Sequence, residues 1–228
     1  MNEEVSGTMP MVFLFDVDNT LLDNDTVEAE LQRYLVAEVG AGKAREYWRI
    51  FEQLRTELGY ADYLGALQRY RAEFPRDFYL LAVSRFLLEY PFQERLFPGA
   101  LEAIKYAEKL GPTVILSDGD VVFQPLKIRR SGLANAVADR VLIYIHKEQE
   151  LDDVQRRYPA EHYVIVDDKL RILAAVKKIW ARRVTTVFVR QGHYATDPGA
   201  LANYPPADVN IQQIADLLRC DLADLQKA

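Results

Sequence analysis

Met11-Val12-Phe13-Leu14-Phe15-Asp16-Val17-Asp18-Asn19-Thr20-Leu21-Leu22-Asp23 is the stretch on which the fold turns. Its first five residues are short, apolar and rich in strand formers, and an acidic loop follows at once. That pattern predicts a strand buried on both faces, as in a parallel sheet. Beyond it, from about Asn24 to Arg95, the apolar spacing becomes helical. Tyr47, Ile50, Phe51, Leu54 and Leu58 share one face, as do Val27, Leu31, Tyr34 and Leu35. A later run places Phe78, Leu81, Ala82, Arg85 and Phe86 together. Gly40, Gly42, Gly59 and Pro75 punctuate these runs, so about four packed helices are expected.

From Pro98 onward short β runs alternate with helices. Strands are expected at Thr113 to Leu116, Val141 to Tyr144, Tyr163 to Val166 and Val184 to Val189. Helices are expected at 100–110, 147–157 and 170–180. Alternation of this kind implies βαβ units in a Rossmann-like parallel α/β sheet with helices on both faces. The expected organisation is a core domain from 1–23 and 96–228, interrupted by an inserted all-helical cap domain at 24–95. The segment Asp208 to Leu218 would add an edge strand and a closing helix.

Composition narrows the function classes. Lys plus Arg number 28 against 34 Asp plus Glu, a net charge of −6. Polyanions reward basic patches, so neither nucleic acid nor an anionic membrane is an expected partner. The one cysteine, Cys220, has no disulfide partner in the chain, and no Cys/His zinc spacing occurs. No apolar run is long enough to span a bilayer, and residues 1–10 carry no basic n-region, so a cytoplasmic setting is expected.

Ligands of open α/β sheets bind at the carboxyl ends of the strands. There this chain delivers Asp16 and Asp18, then Ser117, Asp118, Gly119 and Asp120, then His146 and Lys147, then Asp167, Asp168 and Lys169. Clustered carboxylates repel unless a cation neutralises them, and an all-oxygen donor set suits a hard ion, Mg²⁺. Such an ion beside a lysine and a hydroxyl can bind a phosphoryl group. Each residue alone has a humbler reading: Asp after a strand is commonly a cap, and a lone lysine commonly a solvated charge.

Taken in order, the four strand ends resemble the haloacid dehalogenase-like (HAD) hydrolase superfamily. Its first motif stands as Val12-Phe-Leu-Phe-Asp16-Val-Asp18-Asn-Thr20-Leu21, its second as Val114-Ile-Leu-Ser117, its third as Lys147 and its fourth as Val164-Ile-Val-Asp167-Asp168. The helical insertion resembles the type 1 cap of that family. The resemblance implies a Mg²⁺-dependent phosphatase acting on a small phosphorylated metabolite. Asp16 would be the nucleophile and Asp18 the general acid and base. Asp16, the backbone carbonyl of Asp18 and Asp167 would hold the metal, with Asp168 in the outer shell. Ser117, Asp118 and Lys147 would line the phosphate site.

Three positions depart from the family pattern: Asp118 where Asn is common, Arg171 where an acidic residue is common, and Asn19 where Gly is common. Asp118 and Arg171 keep open a non-catalytic phosphate-binding or protein-interaction module with a decayed active site. Within the superfamily, a dehalogenase would lack Asp18, a phosphonatase would need a cap lysine, for which Lys43 is the one candidate, and a phosphomutase would use the same two aspartates. For Asp118 the expected fate is capping of the Gly119-Asp120 turn or the helix beyond. His146 and His193 are expected to be structural, and the arginines of the insertion to be solvated.

Overall fold

The computed structural model of the chain describes residues 9–77 and 80–221. Phe78 and both ends of the chain lie outside the described residues, as do the side chains of Leu81 and Ala82.

The first strand, β1 (Met9–Phe15), is the axis of the molecule. Side chains of a strand alternate between faces, and here each face enters its own core. Phe13 and Phe15 join a cluster with the inserted helices, whereas Val12 and Leu14 join a second cluster on the opposite side. All four are fully buried.

The insertion follows as α1 (Asn24–Leu58), α2 (Tyr63–Glu73) and α3 (Leu80–Glu89). Gly40 interrupts α1 at φ 83°, ψ 156°, so the long element is two helices across a break, in keeping with the expected punctuation there. Asp23 caps α1 by accepting the Thr26 N–H at 2.9 Å.

The α/β portion then runs α4 (Ala100–Ala107), β2 (Thr113–Asp118), α5 (Phe123–Arg130), α6 (Leu133–Ala136), β3 (Val141–Tyr144), α7 (Leu151–Arg157) and β4 (Ala160–Asp167). It ends α8 (Leu170–Trp180), β5 (Val184–Val189), α9 (Gly192–Thr196), α10 (Pro198–Asn203) and β6 (Val209–Ile211). The helix expected from Lys147 does not start there. Lys147–Gln149 form a single 3₁₀ turn and the α-helix begins at Leu151, because the Lys147 side chain runs inward to the site.

All strand pairs are parallel, in the order β3-β2-β1-β4-β5-β6. The chain reverses its direction of build between β1 and β4, the switch point at which such sheets open a crevice. Register does the rest. Phe15 pairs with Val166, so the next residues, Asp16 and Asp167, leave the sheet side by side.

Candidate active site

The β1 loop is folded by local hydrogen bonds. The N–H groups of Leu21 and Leu22 both donate to the Val17 carbonyl at 2.9 Å. Asn19 adopts φ 61°, a left-handed conformation that Asn tolerates better than most residues. Its Oδ1 accepts the N–H groups of Asn24 and Asp25 at 3.0 and 3.1 Å, fastening the loop to the start of α1. A Cβ on Gly192 would come within 2.5 Å of the Asn19 Cβ, so glycine is what lets the loop after β5 close against this turn. His193, beside it, contacts Asp25 through Nδ1 at 2.6 Å and through its N–H at 2.8 Å.

Lys147 is the hub of the strand ends. Its ammonium donates to Asp16 Oδ1 at 2.5 Å and to the Leu116 carbonyl at 3.2 Å, and it lies 2.7 Å from Asp167 Oδ2 as an ion pair. Burial on its own would lower the pKa of this amine, but Asp16, Asp167 and Asp118 outweigh it and hold the ammonium well above its ordinary value. Asp167 Oδ1 also accepts the Lys169 N–H at 2.8 Å.

Lys147 and the neighbouring Lys169 do not balance this group. Asp16, Asp167 and Asp168 are all buried and place one carboxylate oxygen each within 4.8 Å of the others. Asp16 Oδ2 and both oxygens of Asp168 have no hydrogen-bond partner among the described residues. Unpartnered buried carboxylate oxygens are costly, and three converging hard donors are what a divalent cation of the Mg²⁺ type takes. Asp168, expected in an outer shell, stands in the cluster itself. Burial drives its carboxyl well above the usual range and pushes that of Asp167 up to about 6, against the pull of nearby lysines.

Asp18 points elsewhere. Its Oδ1 accepts from Lys127 Nζ at 2.7 Å and its Oδ2 from Gln124 Nε2 at 3.2 Å. The same Gln124 amide donates to Ser117 Oγ at 2.9 Å. Gly119 allows this approach, since a Cβ there would lie 2.8 Å from the Gln124 Cβ.

The capping fate expected for Asp118 belongs instead to Asp120, whose Oδ1 accepts the Val122 and Phe123 N–H groups at 2.8 and 2.7 Å. Asp118 Oδ1 accepts the backbone N–H of Lys147 at 2.8 Å and so holds the hub residue in place. Arg171 pairs with Glu148 at 2.6 Å. Lys43 pairs with Asp77 at 2.9 Å and does not line the cavity described next.

That cavity, of about 520 Å³, opens between the sheet ends and the insertion. Asp18, Asp118, Lys127 and Lys169 line it from the core, and Glu28, Phe51, Arg55, Tyr60 and Tyr63 from the insertion. Asp16, Ser117, Lys147, Asp167 and Asp168 are buried and do not line it. Lys169 is one of the residues expected at a strand end, whereas Gln124 and Lys127 are site residues that carry no such expectation. The one available signal for them is position, since both follow Ser117 on the next helix.

Comparison with known proteins identifies the family. The family model of haloacid dehalogenase-like hydrolases matches residues 10–179. A haloacid dehalogenase-like hydrolase from Burkholderia xenovorans is 62% identical, covers 96% of this chain and 100% of its own, and superposes with a TM-score of 0.92. A HAD-hydrolase from Bacillus subtilis bound to magnesium is 18% identical, with a TM-score of 0.60 over 93% of this chain and 98% of that one. L-2-haloacid dehalogenase from Xanthobacter autotrophicus is 18% identical, with a TM-score of 0.58 over 92% and 98%. The last two show a shared fold. No curated protein matches the chain in sequence. The chain belongs to the haloacid dehalogenase-like hydrolases. Among the described residues, no helix is long and apolar enough to cross a membrane.

Two predictions follow from the charges. Asp167, raised from 3.8 to about 6, binds its proton more tightly in the folded chain than in the unfolded one. Its contribution to stability is therefore fully present below its unfolded value and is lost as pH rises through about 6. A divalent cation must displace that proton. Mg²⁺ should thus raise the thermal midpoint at neutral pH and do so progressively less as pH falls through about 6; an equal shift at both ends of the range would contradict the cation site. For Asp118, Asn retains an acceptor for the Lys147 N–H while Ala does not. Asp118→Asn should stay within about 0.5 kcal/mol of wild type, whereas Asp118→Ala should lose about 1–3 kcal/mol in denaturant titrations. Equal losses would mean that the contact does not matter.

Proposed function

We propose that the protein is a Mg²⁺-dependent phosphatase that hydrolyses a small phosphorylated metabolite through an aspartyl-phosphate on Asp16. The observation that carries this reading is the Asp16–Lys147 pair set among buried carboxylate oxygens without partners. Asp16, Asp167, Asp168 and the backbone carbonyl of Asp18 would hold the ion. When bound, it would neutralise phosphoryl oxygens and bring them into line with Asp16.

The chain's own residues supply the remainder. An Asp16 carboxylate oxygen attacks phosphorus, and Lys147 offsets the charge of Asp16 and of the phosphoryl oxygens. The Ser117 hydroxyl, held by the Gln124 amide, donates to a phosphoryl oxygen. Asp18, facing the cavity, protonates the leaving oxygen and then takes a proton from the water that attacks the phosphorus of the aspartyl-phosphate. Asp118 contributes by fixing the Lys147 loop. In this reading residues 24–95 act as a cap over a core of 1–23 and 96–228. They help wall off a cavity sized for a small metabolite and limit the access of bulk water.

The structure's details favour this over the sibling chemistries. A phosphonatase would need a lysine in the cap facing the substrate, and Lys43 is paired with Asp77 away from the cavity. A dehalogenase has no use for a cavity-facing Asp18 or a cation site. The Arg171 departure is absorbed by Glu148, which leaves the carboxylate cluster intact.

Turnover of a panel of phosphorylated metabolites tests the reading. Phosphate release should require Mg²⁺, fall to background in Asp16→Asn, and drop roughly 10²–10⁴-fold in Asp18→Asn. Release that persists in Asp16→Asn, with reversion to Asp excluded by mass spectrometry, would contradict it.

A further inference from the structure

Lys127 lies outside every motif that marks the site, yet its side chain is only 2% exposed. Lysine is almost never buried unless it is paired. Here each donor has a destination: Asp18 Oδ1 at 2.7 Å, Asn24 Oδ1 at 2.9 Å, and the face of the Phe123 ring, with its centroid 5.5 Å away. Desolvating an ammonium is expensive, and an apolar side chain would fill the same space without that cost. The placement therefore serves the groups that it touches.

Asp18 needs such a hold. Asp16, Asp167 and Asp168 crowd the same strand ends with like charge, and the Lys147 ammonium is engaged by Asp16, Asp167 and the Leu116 carbonyl rather than by Asp18. The cation on the fourth carboxylate is a different lysine. It comes from α5, where Gln124 and Lys127 stand three residues apart and so share a helix face. Gln124 donates to Asp18 Oδ2 and Lys127 to Asp18 Oδ1. Lys127 also reaches the first residue of α1, and its neighbour Phe123 packs on Tyr63 of α2 with ring centroids 5.4 Å apart. The lysine thus sits where the core helix meets the inserted helices.

We propose that Lys127 is a positioning residue that fixes the orientation of the Asp18 carboxylate and ties it to Asn24 at the root of the insertion. This rests on the phosphatase reading for its kinetic consequence only. Oδ1 is the anchored oxygen. Oδ2, held by a single longer hydrogen bond, is the atom that exchanges protons with the leaving oxygen and the attacking water. Seating of α1 and alignment of Asp18 become one event, because one ammonium binds both.

Two measurements test this. First, crystal structures of the wild type and of Lys127→Met are compared. The Asp18 side chain should leave its wild-type orientation in the variant; an unmoved carboxylate overturns the proposal. Second, turnover is measured for Lys127→Met alone and combined with Asp18→Asn. A displaced catalytic group costs about 10²-fold, so kcat should fall by about that factor with KM changed by less than roughly threefold. In the Asp18→Asn background the added loss should shrink to less than about threefold, since the residue being positioned is already disabled. A full loss in both backgrounds would overturn the proposal by showing that Lys127 acts elsewhere. Should Lys127→Met fail to fold, Asn24→Ala carries both arms. It should disturb Asp18 in the crystal and lower kcat about tenfold, again only while Asp18 is intact; an unmoved Asp18 or an unchanged kcat would defeat the coupling. If the wild type turns over no phosphomonoester, the phosphatase reading fails, and the crystallographic comparison still decides what Lys127 does.

Discussion

The rest of the structure depends on one electrostatic constraint: three buried carboxylates, Asp16, Asp167 and Asp168, meet at the switch point of the sheet, with Lys147 bridging the first two and Lys169 close to the third. Charges so placed cannot be solvated, and their repulsion is poorly screened in the interior. Lys147 and Lys169 compensate part of it. Burial, with the remaining repulsion, raises the carboxyl pKa values of Asp167 and Asp168 and leaves oxygens with no protein partner. A chain tolerates such a site when a cation or an anionic substrate with its cation completes it, and that is the physical content of the proposed metal-assisted phosphoryl transfer.

The fold is arranged to maintain this tension. β1 is clamped from both sides by separate cores, so Asp16 emerges from a rigid base. Parallel register sets Asp167 beside it, and Asp118 holds the backbone of Lys147. Asn19 and Asp25 then lock the acidic loop to α1 and to the loop after β5. Core and insertion meet in one hydrogen-bonded seam whose two sides line the cavity.

Much of this was legible in the residues. β1, β3, β5 and α8 lie where periodicity places them, because strands buried on both faces and helices with one apolar stripe leave strong local patterns. The strand-end aspartates, Ser117 and Lys147 were legible for the same reason: topology forces strand ends to converge. What escaped depends on contacts distant in sequence. Lys127 meets Asp18 across 109 residues, and nothing local distinguishes it from a surface lysine on an amphipathic helix. Asp118 and Asp120 are both suited to capping, and only the inward path of Lys147 decides which one caps. The break between Lys147 and Leu151 has the same origin, since the charge demand of the site overrides helical propensity there.

The central claim is that Asp16 attacks phosphorus in a site completed by a divalent cation. The most direct measurement is acid quenching of the enzyme during turnover of a phosphorylated substrate with Mg²⁺, followed by peptide mass spectrometry. The account predicts a peptide spanning Asp16 that carries one added phosphoryl group, localised to Asp16 and lost when Mg²⁺ is withheld. A phosphoryl group on another residue, or phosphate release with no phosphorylated enzyme at any quench time, would contradict it.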